Sequence, residues 1–278
     1  MSLETVLFTK LFRGEPVESI AATATQLGFE GIDLLIREGF QVTPTEPERI
    51  SDVVSLLQDA GLRVPMATTD ITDPTKAPTE AIFRACADAG VKVIRLGYWK
   101  YDPSVGYRTL RDTARGHLEE IAAIAAATGV KAAIQLHGDT IHASGSQTAL
   151  LLEGHDPTML GAYPDPGNQV VQEGREDWRF TFDVLEPWLC CVGVKNGGWF
   201  GGQVTESGQR HWWADWLGLA DGMVPWDDIM GFLVHSNYEG LLSFHSHYEV
   251  PLDQVIDQTR TDLNYVRRML EAKVGTPV

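Results

Sequence analysis

One junction recurs along this chain. "QLGFEGIDLL" (26–35), "DAGLRVPMAT" (59–68), "DAGVKVIRLG" (88–97), "ATGVKAAIQL" (127–136) and "NYEGLLSF" (237–244) each place a glycine between an amphipathic stretch and a short apolar run. Glycine at that point supplies the left-handed backbone that ends a helix. A helix, a glycine and a strand in repeated succession mean parallel strands joined by helical crossovers. The apolar runs are 5–8, 31–35, 63–68, 91–97, 131–136, 159–164, 191–195 and 240–244. Amphipathic stretches lie between them, at roughly 16–27, 46–60, 78–89, 109–128, 148–152, 178–187, 225–235 and 253–271. Eight such units in 278 residues predict an α/β protein, a (β/α)8 TIM barrel built as one domain over 1–278. An open doubly wound sheet is the alternative, and the absence of GxGxxG after the first run counts against it.

Composition excludes several partners. A net charge of -16 repels phosphate backbones, so nucleic acid is not an expected partner. No apolar run reaches the length of a membrane helix, and "MSLETVLFTKLF" places Glu4 where a signal sequence carries positive charge. A cytoplasmic protein is expected. Three cysteines, two of them adjacent, do not make a disulfide framework. The segment 196–224 is rich in Gly and Trp and is expected to be a long loop after the seventh strand, on the C-terminal face. Its tryptophans, Trp199, Trp212, Trp213 and Trp216, suit either a pocket wall or the interface of a homo-oligomer.

Active sites of barrels lie at the C-terminal ends of the strands. The polar residues expected there are Arg37 after the second strand, Thr68, Thr69 and Asp70 after the third, and Arg95 and Tyr98 on the fourth. Gln135 and His137 follow on the fifth, Asp165 and Asn168 on the sixth, Lys195 and Asn196 on the seventh. In "LLSFHSHYE" (241–249) strand alternation puts Ser243, His245 and His247 on one face and Leu242 and Phe244 on the other. A single buried imidazole can be a hydrogen-bonded core residue. Three imidazoles converging with the Asp165 carboxylate read as a metal site or an acid–base cluster.

The stretches "LGFEGIDLLIREG", "VPMATTDITDP", "IRLGYWKYD", "AIQLHGD", "YPDPGN", "VGVKNGGW", "GMVPWDDIM" and "EGLLSFHSHYE", in this order and spacing, resemble the xylose-isomerase-like TIM barrels of the sugar phosphate isomerase/epimerase superfamily. That resemblance implies a divalent metal held by Glu, Asp, His and Glu from strands five to eight. The match is partial. Gln135 stands where a Glu is expected, Asp165 matches the Asp, Asn168 sits where a His often follows, Gly193 replaces a His, and His247 (or His245) replaces the last Glu. Loss of two acidic oxygens disfavours Mg²⁺, and a set of His137, Asp165 and His247 suits Zn²⁺, Mn²⁺ or Fe²⁺ better.

The resemblance implies a sugar or keto-sugar isomerase or epimerase, moving a proton or hydride next to a carbonyl with metal assistance. His137, Lys195 and His245 are its candidate catalytic residues. Arg37, Arg95, Tyr98, Gln135, Asn168 and Trp199 are candidates for binding a small carbohydrate. The same residues could work without metal, a His acting as general base while Lys195 or Arg95 stabilises an enolate oxygen. Two other readings stand beside this one: a lyase or dehydratase acting on a carbohydrate-derived acid or glycoside, and an inactive sugar-binding barrel.

Overall fold

The computed structural model describes residues 3–76, 78–172 and 176–274. Eight parallel strands form a nearly closed barrel: β1 (Glu4–Phe8), β2 (Gly31–Leu35), β3 (Arg63–Thr68), β4 (Val93–Arg95), β5 (Lys131–Gln135), β6 (Leu160–Tyr163), β7 (Cys191–Val194) and, last in the chain, β10 (Leu241–Phe244). The hydrogen-bonded order is β6-β5-β4-β3-β2-β1-β10-β7. The seam between β6 and β7 is laced by Cys190 N–H donating to Ala162 O at 3.1 Å and Gly193 N–H donating to Pro164 O at 2.9 Å.

Helices α1 (Val17–Leu27), α2 (Arg49–Asp59), α3 (Thr79–Asp88), α4 (Tyr107–Thr128), α5 (Gly145–Leu152), α6 (Pro166–Val171), α7 (Trp178–Leu185), α8 (Trp226–His235) and α9 (Leu252–Val274) fill the connections. In α2 the buried residues are Ile50, Val53, Val54 and Leu57, the spacing that puts one apolar stripe against a sheet. The junction glycines behave as the sequence requires at Gly28, Gly61, Gly90 and Gly129, all at positive φ. The fifth junction is different. There Asn237 takes the left-handed conformation, at φ 55°, and Gly240 instead makes room for the Tyr238 ring.

Alternation divides the strand residues into two packed sets. Leu7, Ile32, Leu34, Ala67, Ile94, Ile134, Val192, Leu242 and Phe244 face outward into the main core beneath the helices. Val6, Met66, Ala133, Tyr163, Cys191 and Leu241 fill the barrel axis. Higher along the same inward rows come Asp33, Thr68, Arg95, Gln135 and Ser243, all buried. The barrel therefore passes from apolar to polar toward its C-terminal mouth.

The segment 196–224 is not an irregular loop. Asn196–Val204 (β8) and Arg210–Leu217 (β9) form an antiparallel two-stranded ribbon. Asn196 anchors its base, donating to Leu219 O at 2.8 Å and accepting from Val224 N–H at 2.8 Å. Among the described residues, no helix is long and apolar enough to cross a membrane.

Candidate active site

At the barrel mouth a cavity of about 200 Å³ is lined by Phe8, Lys10, Arg37, Arg95, Tyr98, His137, Gln172, Lys195, Trp216, His245 and His247. It adjoins a wider pocket of about 410 Å³, which shares Lys10, Trp216 and His247 with it.

The floor is a chain of hydrogen bonds. The Tyr98 hydroxyl donates to Gln135 Oε1 at 2.9 Å, and Gln135 Nε2 donates to Asp165 Oδ2 at 2.7 Å. The same Asp165 oxygen lies 3.1 Å from Lys195 Nζ, both residues being buried. Asp165 Oδ1 caps α6 by accepting from Asn168 N–H at 2.8 Å. Two glycines make the space for this ion pair. A Cβ on Gly193 would lie 2.7 Å from Asp165 Oδ2, and one on Gly167 would lie 2.5 Å from Lys195 Cγ. Burial pulls the Lys195 pKa below the usual lysine value, and Asp165 opposes that pull. The ammonium also lies over the Trp216 ring, 4.8 Å from its centroid.

The three histidines have different surroundings. His137 Nδ1–H donates to Gly138 O at 2.8 Å, and its Nε2 accepts from Gln172 Nε2 at 3.2 Å, which fixes a neutral tautomer. The Tyr98 ring lies tilted against it, with ring centroids 4.1 Å apart. His245 is packed against Phe8 at 4.5 Å and hydrogen-bonded through Nε2 to the Tyr163 hydroxyl at 2.7 Å. His247 Nε2 has no hydrogen-bond partner although it is shielded from solvent. Burial, then the nearby Lys195, drives the pKa values of His245 and His247 well below the ordinary imidazole value. All three rings are neutral at neutral pH.

His137 and Asp165, expected to hold a metal, are engaged with protein partners in this geometry. His137 has both ring nitrogens engaged, and both Asp165 oxygens accept from protein donors, one of them cationic. A divalent ion at Asp165 Oδ2 would have to displace an ammonium and an amide N–H, and one at Oδ1 would sit beside the Asn168 N–H on a carboxylate already paired with the Lys195 charge. Among the described residues, no three His, Cys, Asp or Glu side chains are grouped so as to hold an ion. The residues present do not fit the metal that the resemblance implies.

Other expected positions divide as follows. Arg95 and Tyr98 line the cavity, with the guanidinium 4.6 Å from the Tyr98 ring centroid. Arg37 stands at the rim, its Nε donating to Asp70 Oδ2 at 2.6 Å. Gln135 lies in the floor, hydrogen-bonded to Tyr98 and Asp165. Asn168 sits behind Asp165, its side chain donating to Leu136 O at 2.7 Å rather than lining the cavity. Trp199 is displaced to the outer ribbon, where Nε1 donates to Val170 O at 2.7 Å, and Trp216 of β9 takes the place in the wall expected of it.

Sequence reasoning missed Lys10, Phe8, Gln172 and the buried Asp33. Lys10 and Phe8 follow from applying the strand-end rule to "TVLFTK". Asp33 is visible as the one carboxylate inside the apolar run "GIDLL". Asp33 accepts from Thr68 Oγ1 and Ser243 Oγ, both at 2.8 Å. Burial raises its pKa to about 6.

The folded protein therefore holds the Asp33 proton more tightly than the unfolded chain does. Stability falls as pH rises from the unfolded value near 4 through about 6, and then levels off. From about pH 4.5 to pH 7 the loss is about 2 kcal/mol. An Asp33→Asn variant lacks this slope. Urea unfolding of both proteins across that range should show the stability difference shifting by that amount in favour of Asn. Parallel profiles would rule out the assignment.

A family model described as xylose isomerase-like TIM barrel matches residues 21–269. The chain belongs to the xylose isomerase-like TIM barrel family. Solved members of this fold superpose over nearly the whole length. A Mycobacterium smegmatis xylose isomerase-like TIM barrel protein in complex with magnesium has a TM-score of 0.70 at 16% identity, covering 97% of this chain and 98% of that one. A 3-keto-D-glucoside 4-epimerase from E. coli has a TM-score of 0.70 at 14% identity, covering 96% and 100%. A probable 3-DHS dehydratase from Bacillus anthracis has a TM-score of 0.68 at 18% identity, covering 94% and 98%. At these identities the likeness is one of fold. No curated protein matches the sequence. At the centre of this chain's barrel mouth stands a buried lysine–carboxylate pair, Lys195 and Asp165.

Proposed function

We propose that this barrel is an enzyme that moves a proton next to a carbonyl group of a small polyhydroxylated substrate, isomerising or epimerising a sugar derivative. The observation that carries this reading is the pairing, in one cavity, of a neutral imidazole free at Nε2 with a fixed ammonium, His247 and Lys195. The free nitrogen is the base. It takes the proton from the carbon beside the carbonyl. The C–H electron pair becomes the new C=C bond, and the carbonyl π pair moves onto oxygen. Lys195, aligned in advance by Asp165, holds that oxygen as its charge grows. For the isomer, the neighbouring hydroxyl gives its proton to the oxyanion and becomes the new carbonyl, while the His247 imidazolium returns its proton to the former carbonyl carbon. For the epimer, a solvent proton reaches the opposite face of the original carbon and His247 releases its own to water. Tyr98 and His137 form the polar wall against which the substrate hydroxyls lie.

Incubation in D₂O with ketoses, aldoses and their derived acids tests this reading. Deuterium should enter the carbon next to the carbonyl, with an isomer or epimer as product. A dehydrated product would move the reading to a lyase. No exchange into any substrate that binds would refute proton transfer altogether.

A further inference from the structure

Four cations line the cavity: Lys10, Arg37, Arg95 and Lys195. Two are matched, Lys195 by Asp165 and Arg37 by Asp70. Arg95 is not. It is 2% exposed and makes no ion pair among the described residues, the charge of Asp33 reaching it only at longer range. Both hydrogen bonds it makes leave from Nη1, to Thr69 O at 3.1 Å and Leu96 O at 2.7 Å. Its Nε is buried without any partner. Lys10, at the rim, likewise has no ion pair among the described residues. The carboxylates whose charge reaches these two groups are already engaged: Asp33, toward Arg95, by Thr68 and Ser243, and Asp70, toward Lys10, by Arg37.

A buried guanidinium with no counter-ion and an unused N–H is unfavourable unless something else supplies the anion. A chain of net charge -16 has ample carboxylates, yet this guanidinium and this ammonium face the cavity unmatched. We infer that the substrate carries a carboxylate, received by the Nε edge of Arg95 and by Lys10. The inference rests on the proton-transfer reading for what happens at the other end of the molecule. A carboxylate is favoured over a phosphate because the Nε side of a guanidinium presents two parallel N–H groups in a plane, the geometry of two carboxylate oxygens. With the carboxylate seated there, the polyol chain extends toward His247 and Lys195.

Calorimetric titration of the intact protein decides this. The probes are matched sets of one skeleton, such as D-fructose, D-fructuronate and D-fructose 6-phosphate, together with shorter hydroxy acids of three to five carbons and their neutral counterparts. At least one carboxylate should bind, with its neutral counterpart weaker by about tenfold or more. Lys10→Gln should weaken the acid severalfold and flatten its salt dependence, and should weaken the acid more than the neutral sugar of the same skeleton. Lys10 is exposed, so this variant serves even if Arg95→Gln fails to fold. Neutral sugars binding as well as their acids, or no acid binding at all, would overturn the inference. A phosphate ester preferred over every carboxylate would overturn the carboxylate assignment. Deuterium exchange on the same probes separates the two claims. Exchange into a neutral sugar that binds as well as its acid keeps the proton-transfer reading and removes this inference. A tightly bound acid that does not exchange does the reverse.

Discussion

Replacing His247 with Gln lowers turnover by about 10²–10⁴-fold, the usual contribution of a positioned general base. Both His245 and His247 line the cavity with one unpartnered ring nitrogen, Nδ1 and Nε2 respectively, but only His247 has no hydrogen bond to Tyr163 holding its ring. His137 is tied at both nitrogens. His245 is held by Tyr163 and Phe8, so its loss should cost stability before chemistry. The pH profile adds a second readout. Burial and the Lys195 and Lys10 charges keep the His247 imidazolium unfavourable, so its pKa lies well below the ordinary 6.5. The base form is therefore retained on acidification, and kcat/KM should stay level through pH 6.5 and fall only below it. A bound carboxylate would offset the Lys10 and Arg95 charges and lift that pKa, so kcat should bend at a higher pH than kcat/KM. A variant retaining half the activity, or a kcat/KM profile that bends at 6.5, would remove His247 as the base.

The barrel was legible because parallel strands buried on both faces leave short continuous apolar runs, and 31–35 and 63–68 match β2 and β3 residue for residue. The ribbon at 196–217 was not legible. Gly197, Gly198, Gly201 and Gly202 carry no side chains, so β8 shows no alternation of period two. A Cβ on Gly197 would lie 2.2 Å from Val171 Cγ2, so the glycine reflects close packing against α6, not loop flexibility. Helix α6 was hidden because its six residues begin in "DPGN", which reads as a turn, and only the Asp165 cap reveals it. At the site, the sequence displayed the right residue types at the strand ends. It could not show that the Asp165 oxygens already accept from Lys195, Gln135 and Asn168. Ligand capacity depends on unspent lone pairs, and those are a property of the folded network.

Lys195→Met tests that network most directly. Removing the ammonium leaves the Asp165 carboxylate wholly buried with only two neutral N–H donors, Gln135 Nε2 and Asn168 N. Breaking a buried pair in this way costs about 3–5 kcal/mol of stability. Adding Asp165→Asn removes the stranded charge. The new amide can donate to Gln135 once that side chain turns over, and the turned Gln135 can donate to the Tyr98 hydroxyl, so every polar group in the floor keeps a partner. The double variant should therefore recover most of the lost stability in urea unfolding. Turnover should behave differently. Loss of a donor placed for a developing oxyanion costs about 10²–10³-fold, and Asp165→Asn restores no positive charge. Stability regained with turnover still absent would mark Lys195 as the electrophile. Turnover returning together with stability would reduce the lysine to a structural partner of Asp165 and leave the oxyanion to Arg95.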